Sequence, residues 1–182
     1  LAPIASTSWF APVCARFTRR FPGVDIRLVD PGSTRLEDPL LGGDIELAAT
    51  LLPAAESFDT QAVRKEPLVA LLPVDHDQAN ARQLGFAQLA DTPFILFEEG
   101  FALNRVILDE AARKGVKPVI AARSGQIDFI VELAAAGLGV GFLPKMIAEQ
   151  RPHRDVRIVP LDEARTAWVL AMVWRKGGYL SP

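Results

Sequence analysis

The stretch FILFEEGFALNRVILDEAARKGVKPVIAARSGQIDFIVELAAAGLGVGFL, residues 94–143, decides the fold class of this chain. Its apolar pattern predicts strands and helices in alternation: strand 94–97, helix 103–114, strand 116–122, helix 126–136 and strand 140–143. Strands that alternate with helices are typical of a parallel sheet joined by right-handed crossovers. We therefore expect an α/β fold.

The same alternation precedes this stretch. Residues 1–5 predict a strand, Ser6, Thr7 and Ser8 are N-cap hydroxyls for a helix that ends at Phe21-Pro22-Gly23, and residues 24–29 alternate as a strand does. A second helix runs toward Leu41, and residues 45–52 predict a third strand. The chain therefore contains two α/β units.

The carboxyl-terminal strands return after the second unit is complete. The apolar run 68–72 predicts a buried strand, and further strands are predicted over 156–159 and 167–174. This order suggests two lobes joined by two crossover segments, near Pro73 and near Gly141 to Lys145. Lobe one would hold residues 1–73 plus 152–182 and lobe two residues 74–151, with a cleft for a small ligand between them.

Composition excludes several classes of protein. Of the 182 residues, 49% are hydrophobic and 23% charged, as in globular domains, and a net charge of −2 gives no reason to bind a polyanion. The single cysteine, Cys14, cannot form an intramolecular disulfide, and with only two histidines beside it the chain cannot form a Cys/His zinc site. We expect no metal, no cofactor, no membrane span and a cytoplasmic location, with Cys14 buried on a helix face.

The sequence lacks common catalytic patterns, which favours a protein that is not an enzyme. Neither GxSxG nor GxxxxGK[ST] is present, and Gly137-Leu138-Gly139 follows a helix, which indicates a helix cap and tight turn. Adjacent Glu98 and Glu99 diverge, whereas acid/base pairs must converge on one substrate. A solvated loop, or contact of one glutamate with a ligand, remains open.

Polar residues at helix starts indicate a site for a small anion. Each follows a predicted strand, where free N–H groups and the helix dipole favour a carboxylate: Ser6, Thr7, Ser8, Ser33, Thr34, Ser124 and Gln126. For any single one of these residues, ordinary helix capping is a better explanation than ligand contact, so the inference rests on their common placement.

Several motifs together resemble the effector-binding domain of LysR-type transcriptional regulators. They occur in the family's order over nearly the whole chain: Trp9-Phe10-Ala11-Pro12, Phe21-Pro22-Gly23-Val24, the run from Gly42 to Ala48, Leu71-Leu72-Pro73 with His76, and the run from Ala134 to Pro144. The resemblance implies a two-lobed fold like that of periplasmic binding proteins, with an effector in the cleft. It places that effector at Ser6, Thr7, Ser33, Phe97, Glu98, Gly100, Phe101, Ser124 and Gln126.

The resemblance also implies partners. The family's winged helix-turn-helix would precede this chain in the full-length protein, so DNA would be bound only through a domain outside these 182 residues. A homodimer or homotetramer is expected, pairing the first helix of one chain with the helix from Leu103 of another. The alternative reading is a solute-binding protein of a transport system, which would be secreted.

Overall fold

A computed structural model describes residues 10–24, 26, 37–162 and 167–178. The chain divides into two units, Leu1–Arg64 with Val169–Pro182 and Lys65–Trp168. It passes from one unit to the other inside strands β2 (Phe58–Pro73) and β7 (Ala167–Arg175). The predicted strand over residues 1–5 and most of the strand predicted over 24–29 lie outside the described residues.

These divisions differ from the predicted lobe bounds at 73/74 and 151/152. Strand β2 is continuous for 16 residues, and its apolar end, Leu68 to Pro73, pairs with β5 (Val140–Pro144) and β6 (Val156–Pro160). Both the end of β2 and all of β6 therefore belong to the second unit. The predicted crossover near Gly141 to Lys145 is in fact β5, a strand inside that unit.

The first unit contains helices α1 (Ala11–Arg20) and α2 (Glu37–Gly42), strand β1 (Ala48–Leu51) and most of β7. Strand β1 is antiparallel to β7, with Ala48 opposite Val173. Around this pair lies a small core of Leu40, Ala48, Phe58, Ala171 and Val173.

Helix α1 carries apolar side chains that are partly exposed. Val13 is 46% exposed and Phe17 38% exposed, and Phe17 packs on Phe21 with ring centroids 4.9 Å apart. Cys14 is only partly buried, so the predicted burial of this thiol was wrong. No residue of α1 is buried.

The second unit is built on a sheet whose strands run in the order β6, β2, β5, β3 (Phe94–Phe97) and β4 (Ile120–Ser124). Strand β3 is parallel to both β4 and β5, whereas β2 is antiparallel to β5 and β6. The α/β prediction is confirmed, with the parallel strands in the stretch from 94 to 144.

Helices connect the parallel strands of the second unit. Helix α3 (Ala102–Arg113) links β3 to β4, α4 (Ile127–Ala135) links β4 to β5, and the short α5 (Lys145–Glu149) follows β5. A 3₁₀ turn over Phe86–Leu89 precedes β3. In the described ranges, no helix is both long enough and apolar enough to span a bilayer.

Aromatic rings fill the middle of this unit. Phe86 stacks on Phe142 with centroids 5.6 Å apart, and Phe94 meets Phe142 edge-on at 4.8 Å. All three side chains are at most 1% exposed. Burial of each such ring stabilises the fold by about 1.5–3 kcal/mol, which ties the 3₁₀ turn to β3 and β5.

The turn between α4 and β5 depends on glycine at two positions. Gly137 has φ +77°, its N–H donates to Ala134 O, and Leu138 N–H donates to Leu133 O, which closes the helix as predicted. A Cβ on Gly139 would lie 2.2 Å from Pro93 O, the same oxygen that accepts Val140 N–H at 2.8 Å. The backbones of this turn and of residue 93 are therefore in direct contact.

We expect Gly139→Ala to destabilise the protein by about 3 kcal/mol, because the methyl group meets a backbone carbonyl that holds β5 against β3. Gly137→Ala, which meets open space but keeps a positive φ, should cost only about 1–2 kcal/mol. Urea unfolding of both variants measures the difference. Equal losses for the two substitutions would contradict the steric explanation.

Candidate functional site

The predicted effector residues that the structure describes all belong to the second unit. Phe97, Glu98, Gly100 and Phe101 lie at or just after the carboxyl end of β3, and Ser124 and Gln126 at the carboxyl end of β4. Ser6, Thr7 and Ser33 lie outside the described residues, so their part of the predicted site stays a prediction.

Strands β3 and β4 end side by side. Phe97 is opposite Ser124 in the parallel register, and each strand then turns toward the helix that follows it. The Glu98 carboxylate lies beside the second turn, with its oxygens 3.6 and 3.7 Å from the position of a Cβ on Gly125. The two segments 97–101 and 123–126 therefore form one surface, called here the strand-end surface.

Ser124 shapes the turn that leads into α4. It is 8% exposed, and its Oγ accepts a hydrogen bond from Gln126 N–H at 3.0 Å and donates to Gln126 O at 3.4 Å. The capping role predicted for Ser124 is wrong, because the N-cap of α4 is Gln126 and no side chain caps that helix. Ser124 instead stabilises the turn before the helix. The Oγ keeps one lone pair, and the Gln126 side chain is exposed.

The loop after β3 is packed through its aromatic residues. Phe97 is 1% exposed and stacks on Phe101, with ring centroids 5.1 Å apart and planes 18° apart. Phe101 N–H donates to Glu98 O at 3.3 Å, and Gly100 takes φ +90° in this turn. The ring of Phe97 therefore packs against the loop, and Glu98, Glu99 and Gly100 form its exposed part.

Asn104 is a residue of this surface that the sequence patterns did not indicate. On α3 and only 7% exposed, it accepts from Phe97 N–H at 3.0 Å and donates through Nδ2 to Phe97 O and Glu98 O, both at 2.9 Å. Its amide thus pairs with the end of β3 as a neighbouring strand would. The available signal was a polar residue between Leu103 and Ile107 on the buried helix face.

Arg123 is the second residue missed from the sequence. Its Nη1 donates to Phe97 O at 3.2 Å, so the same carbonyl accepts from both Arg123 and Asn104. The rest of the guanidinium is exposed at the edge of the sheet. A positive side chain therefore lies at the carboxyl ends of β3 and β4.

The two histidines close turns elsewhere in the second unit and are partly buried. His76 Nδ1 accepts from Gln78 N–H at 3.1 Å, and its Nε2 lies 3.0 Å from Thr92 Oγ1. His153 Nδ1 accepts from Asp155 N–H at 3.2 Å. Among the described residues, neither histidine is hydrogen-bonded to a serine or cysteine side chain.

We expect Asn104→Ala to destabilise the protein by about 2–3 kcal/mol, because the buried N–H of Phe97 loses its acceptor and the carbonyls of Phe97 and Glu98 each lose one of their two donors. Asn104→Asp should cost at least as much, since a carboxylate cannot donate to the two carbonyls. Asn80→Ala, an exposed asparagine, is the control and should change stability by less than about 0.5 kcal/mol. Chemical denaturation measures all three, and an Asp variant as stable as the unsubstituted chain would contradict this account.

Comparison with known sequences gives one consistent family. The family described as "LysR substrate binding domain" matches residues 1–182. The uncharacterized HTH-type transcriptional regulator YwbI of Bacillus subtilis is 33% identical over 182 residues, which cover 100% of this chain and 60% of that protein. YnfL of Escherichia coli, also named an uncharacterized HTH-type transcriptional regulator, is 32% identical over 171 residues, 91% of this chain and 57% of that protein. The chain thus spans about three fifths of the length of these curated relatives.

Solved structures show the same fold. The effector-binding domain of a BenM variant superposes with a TM-score of 0.86 at 16% identity, covering 99% of this chain and 85% of that one. The CcmR regulatory domain of Synechocystis, in complex with 2-PG, gives 0.85 at 19% identity, with 98% and 86% covered. The effector-binding domain of QuiR, in complex with shikimate, gives 0.79 at 18% identity, with 99% and 87% covered. The predicted fold class is confirmed.

Proposed function

Because this chain belongs to the LysR substrate binding domain family, we propose that it is the effector-sensing domain of a cytoplasmic LysR-type transcriptional regulator. It binds a small metabolite and thereby controls how the full-length protein binds DNA. A winged helix-turn-helix preceding this chain makes the DNA contacts. The curated relatives, which are longer and named as HTH-type regulators, support this arrangement.

The observation that carries the proposal is the strand-end surface. Two parallel strands end in register there, and the polar groups of Glu98, Arg123, Ser124 and Gln126 gather around their ends. Ligands of α/β folds bind at the carboxyl ends of parallel strands. Domains of the same fold are known with 2-PG and with shikimate, which supports a small polar effector for this chain.

The sensing mechanism follows from linkage. We propose that the effector contacts Ser6, Thr7 and Ser33 as well as the strand-end surface. A ligand shifts an equilibrium between two conformations of a protein only by the difference between its affinities for them. That difference is what the assembled regulator would convert into a change in DNA binding.

Two rival functions have less support. A secreted solute-binding protein of a transport system shares the fold, but the relatives named above are transcriptional regulators. Catalysis would need convergent titratable groups, and both histidines of the chain are engaged in local turns. We therefore propose that the domain is not an enzyme and needs no cofactor or metal.

We expect small carboxylates or aromatic acids, shikimate included, to raise the melting temperature of the 182-residue chain in a thermal-shift screen. Ligand at about 100 times its Kd adds about 2.7 kcal/mol to the free energy of unfolding.

Ser6→Ala, Thr7→Ala and Ser124→Ala should each weaken binding by about 1.5–3 kcal/mol, measured by calorimetry, because each removes a hydrogen bond to a charged group. Ser57→Ala, an exposed serine of the first unit, is the control. Unchanged affinity in all three variants would refute the site.

Assembly into a homodimer or homotetramer is part of the proposal, and α1 supports it with its exposed Val13 and Phe17. In an isologous dimer, α1 of one chain would pack on α3 of the other, so that each contact occurs twice. Helix α3 contributes Val106, which is partly exposed.

We expect Val106→Glu and Arg16→Glu to shift the protein toward monomer, because each adds a negative charge at the proposed helix contact. Asp91→Lys, a charge change at an exposed residue of neither helix, should leave the association unchanged. Sedimentation equilibrium at tens of micromolar measures the species. A monomer for the unsubstituted chain would remove this part of the proposal.

A further inference from the structure

Two opposite charges lie on the strand-end surface. Glu98 follows the last residue of β3, Arg123 is the penultimate residue of β4, and both are exposed. Leu96 is opposite Arg123 and Phe97 is opposite Ser124 in the register. Arg123 Nη1 donates to the carbonyl oxygen of Phe97 at 3.2 Å, and Glu98 is the next residue along the chain. The two charged residues therefore adjoin the same backbone carbonyl.

Each charged residue is anchored separately. Arg123 reaches the carbonyl oxygen of Phe97 at 3.2 Å, and the backbone of Glu98 is bonded to the buried amide of Asn104. The Glu98 carboxylate lies beside Gly125, which has no side chain to cover it. In the part of the chain that the structure describes, no ion pair joins Glu98 to Arg123 or either of them to a third residue.

Arg123 and Glu98 have unused hydrogen-bonding groups of opposite charge. Arg123 uses one of its five N–H donors on Phe97 O, and both carboxylate oxygens of Glu98 are available. A purely anionic ligand at this surface would be attracted by Arg123 and repelled by Glu98. A ligand that carries a cation beside its anion would be attracted by both.

We propose that the effector is a zwitterion of the amino-acid type, with its carboxylate on Arg123 and its ammonium group on Glu98. This inference rests on the proposed sensing function and narrows its ligand class. Guanidinium matches a carboxylate through two parallel hydrogen bonds, and a carboxylate with two free oxygens accepts from an ammonium group. Because both side chains are exposed, an ion pair between them would contribute little to stability, and leaving them unpaired costs the fold little.

The test is calorimetric titration of the 182-residue chain with the common L-amino acids, one at a time. Each amino acid that binds is compared with its N-acetyl derivative, which keeps only the anion, and with its methyl ester, which keeps only the cation. We expect at least one free amino acid to bind, and each derivative to bind about 10- to 100-fold more weakly.

Charge-removing variants assign the two contacts. Glu98→Gln should weaken binding of the free amino acid about 10- to 100-fold but should not weaken binding of the N-acetyl derivative, because it also removes the repulsion of that anion. Arg123→Gln should likewise weaken binding of the free amino acid and should not weaken binding of the methyl ester. The matched controls are Asp91→Asn and Lys117→Gln, exposed residues near the opposite ends of β3 and β4, which should change neither affinity.

Other outcomes separate this inference from the function on which it rests. If simple carboxylates bind and free amino acids do not, or if Glu98→Gln strengthens binding of the amino acid, the zwitterion is refuted and effector sensing stands. If neither amino acids nor carboxylates bind, both proposals fall.

Discussion

The second unit depends on the contact between the backbones of Gly139 and Pro93. The carbonyl of Pro93 accepts Val140 N–H at 2.8 Å and leaves no space for a side chain on Gly139. This contact lies where the parallel pairing of β5 with β3 begins. The buried rings of Phe94 and Phe142 pack on each other next to it. With β3 held in the middle of the sheet, β4 pairs along its other side and both strands end together.

The polar surface at these strand ends is a consequence of the need to pair backbone N–H and C=O groups. Where the sheet ends, the N–H and C=O groups of Phe97 and the carbonyl of Glu98 lose their strand partners, and an unpaired buried group costs about 1–3 kcal/mol. Asn104 from α3 and Arg123 from β4 supply the missing hydrogen bonds. The same bonds hold the loop that carries Glu98, so the groups that complete the sheet also orient the proposed contacts with the effector.

The position of the unit boundaries also depends on hydrogen bonds between strands. Strand β2 is mostly exposed and polar from Asp59 to Pro67 and fully buried from Leu68 to Pro73. A composition change of this kind, followed by a polar break, favours a boundary near residue 73. The strand is nevertheless continuous, because its apolar half pairs with β5 and β6 while its first half begins in the other unit. Pairing partners distant in the sequence, rather than local composition, decide where one unit ends.

The sequence by itself determined the α/β class, the family, the buried strand 68–72 and the glycine turn after α4, because periodicity, caps and positive-φ glycines are local properties. It also indicated Glu98 and Ser124, since both follow predicted strands. Asn104 and Arg123 were missed because their roles depend on the Phe97 carbonyl, which lies 7 and 26 residues away along the chain. The parallel register of β3 and β4 brings Arg123 to this carbonyl, and the packing of α3 on β3 brings Asn104 to it. Tertiary packing decides both.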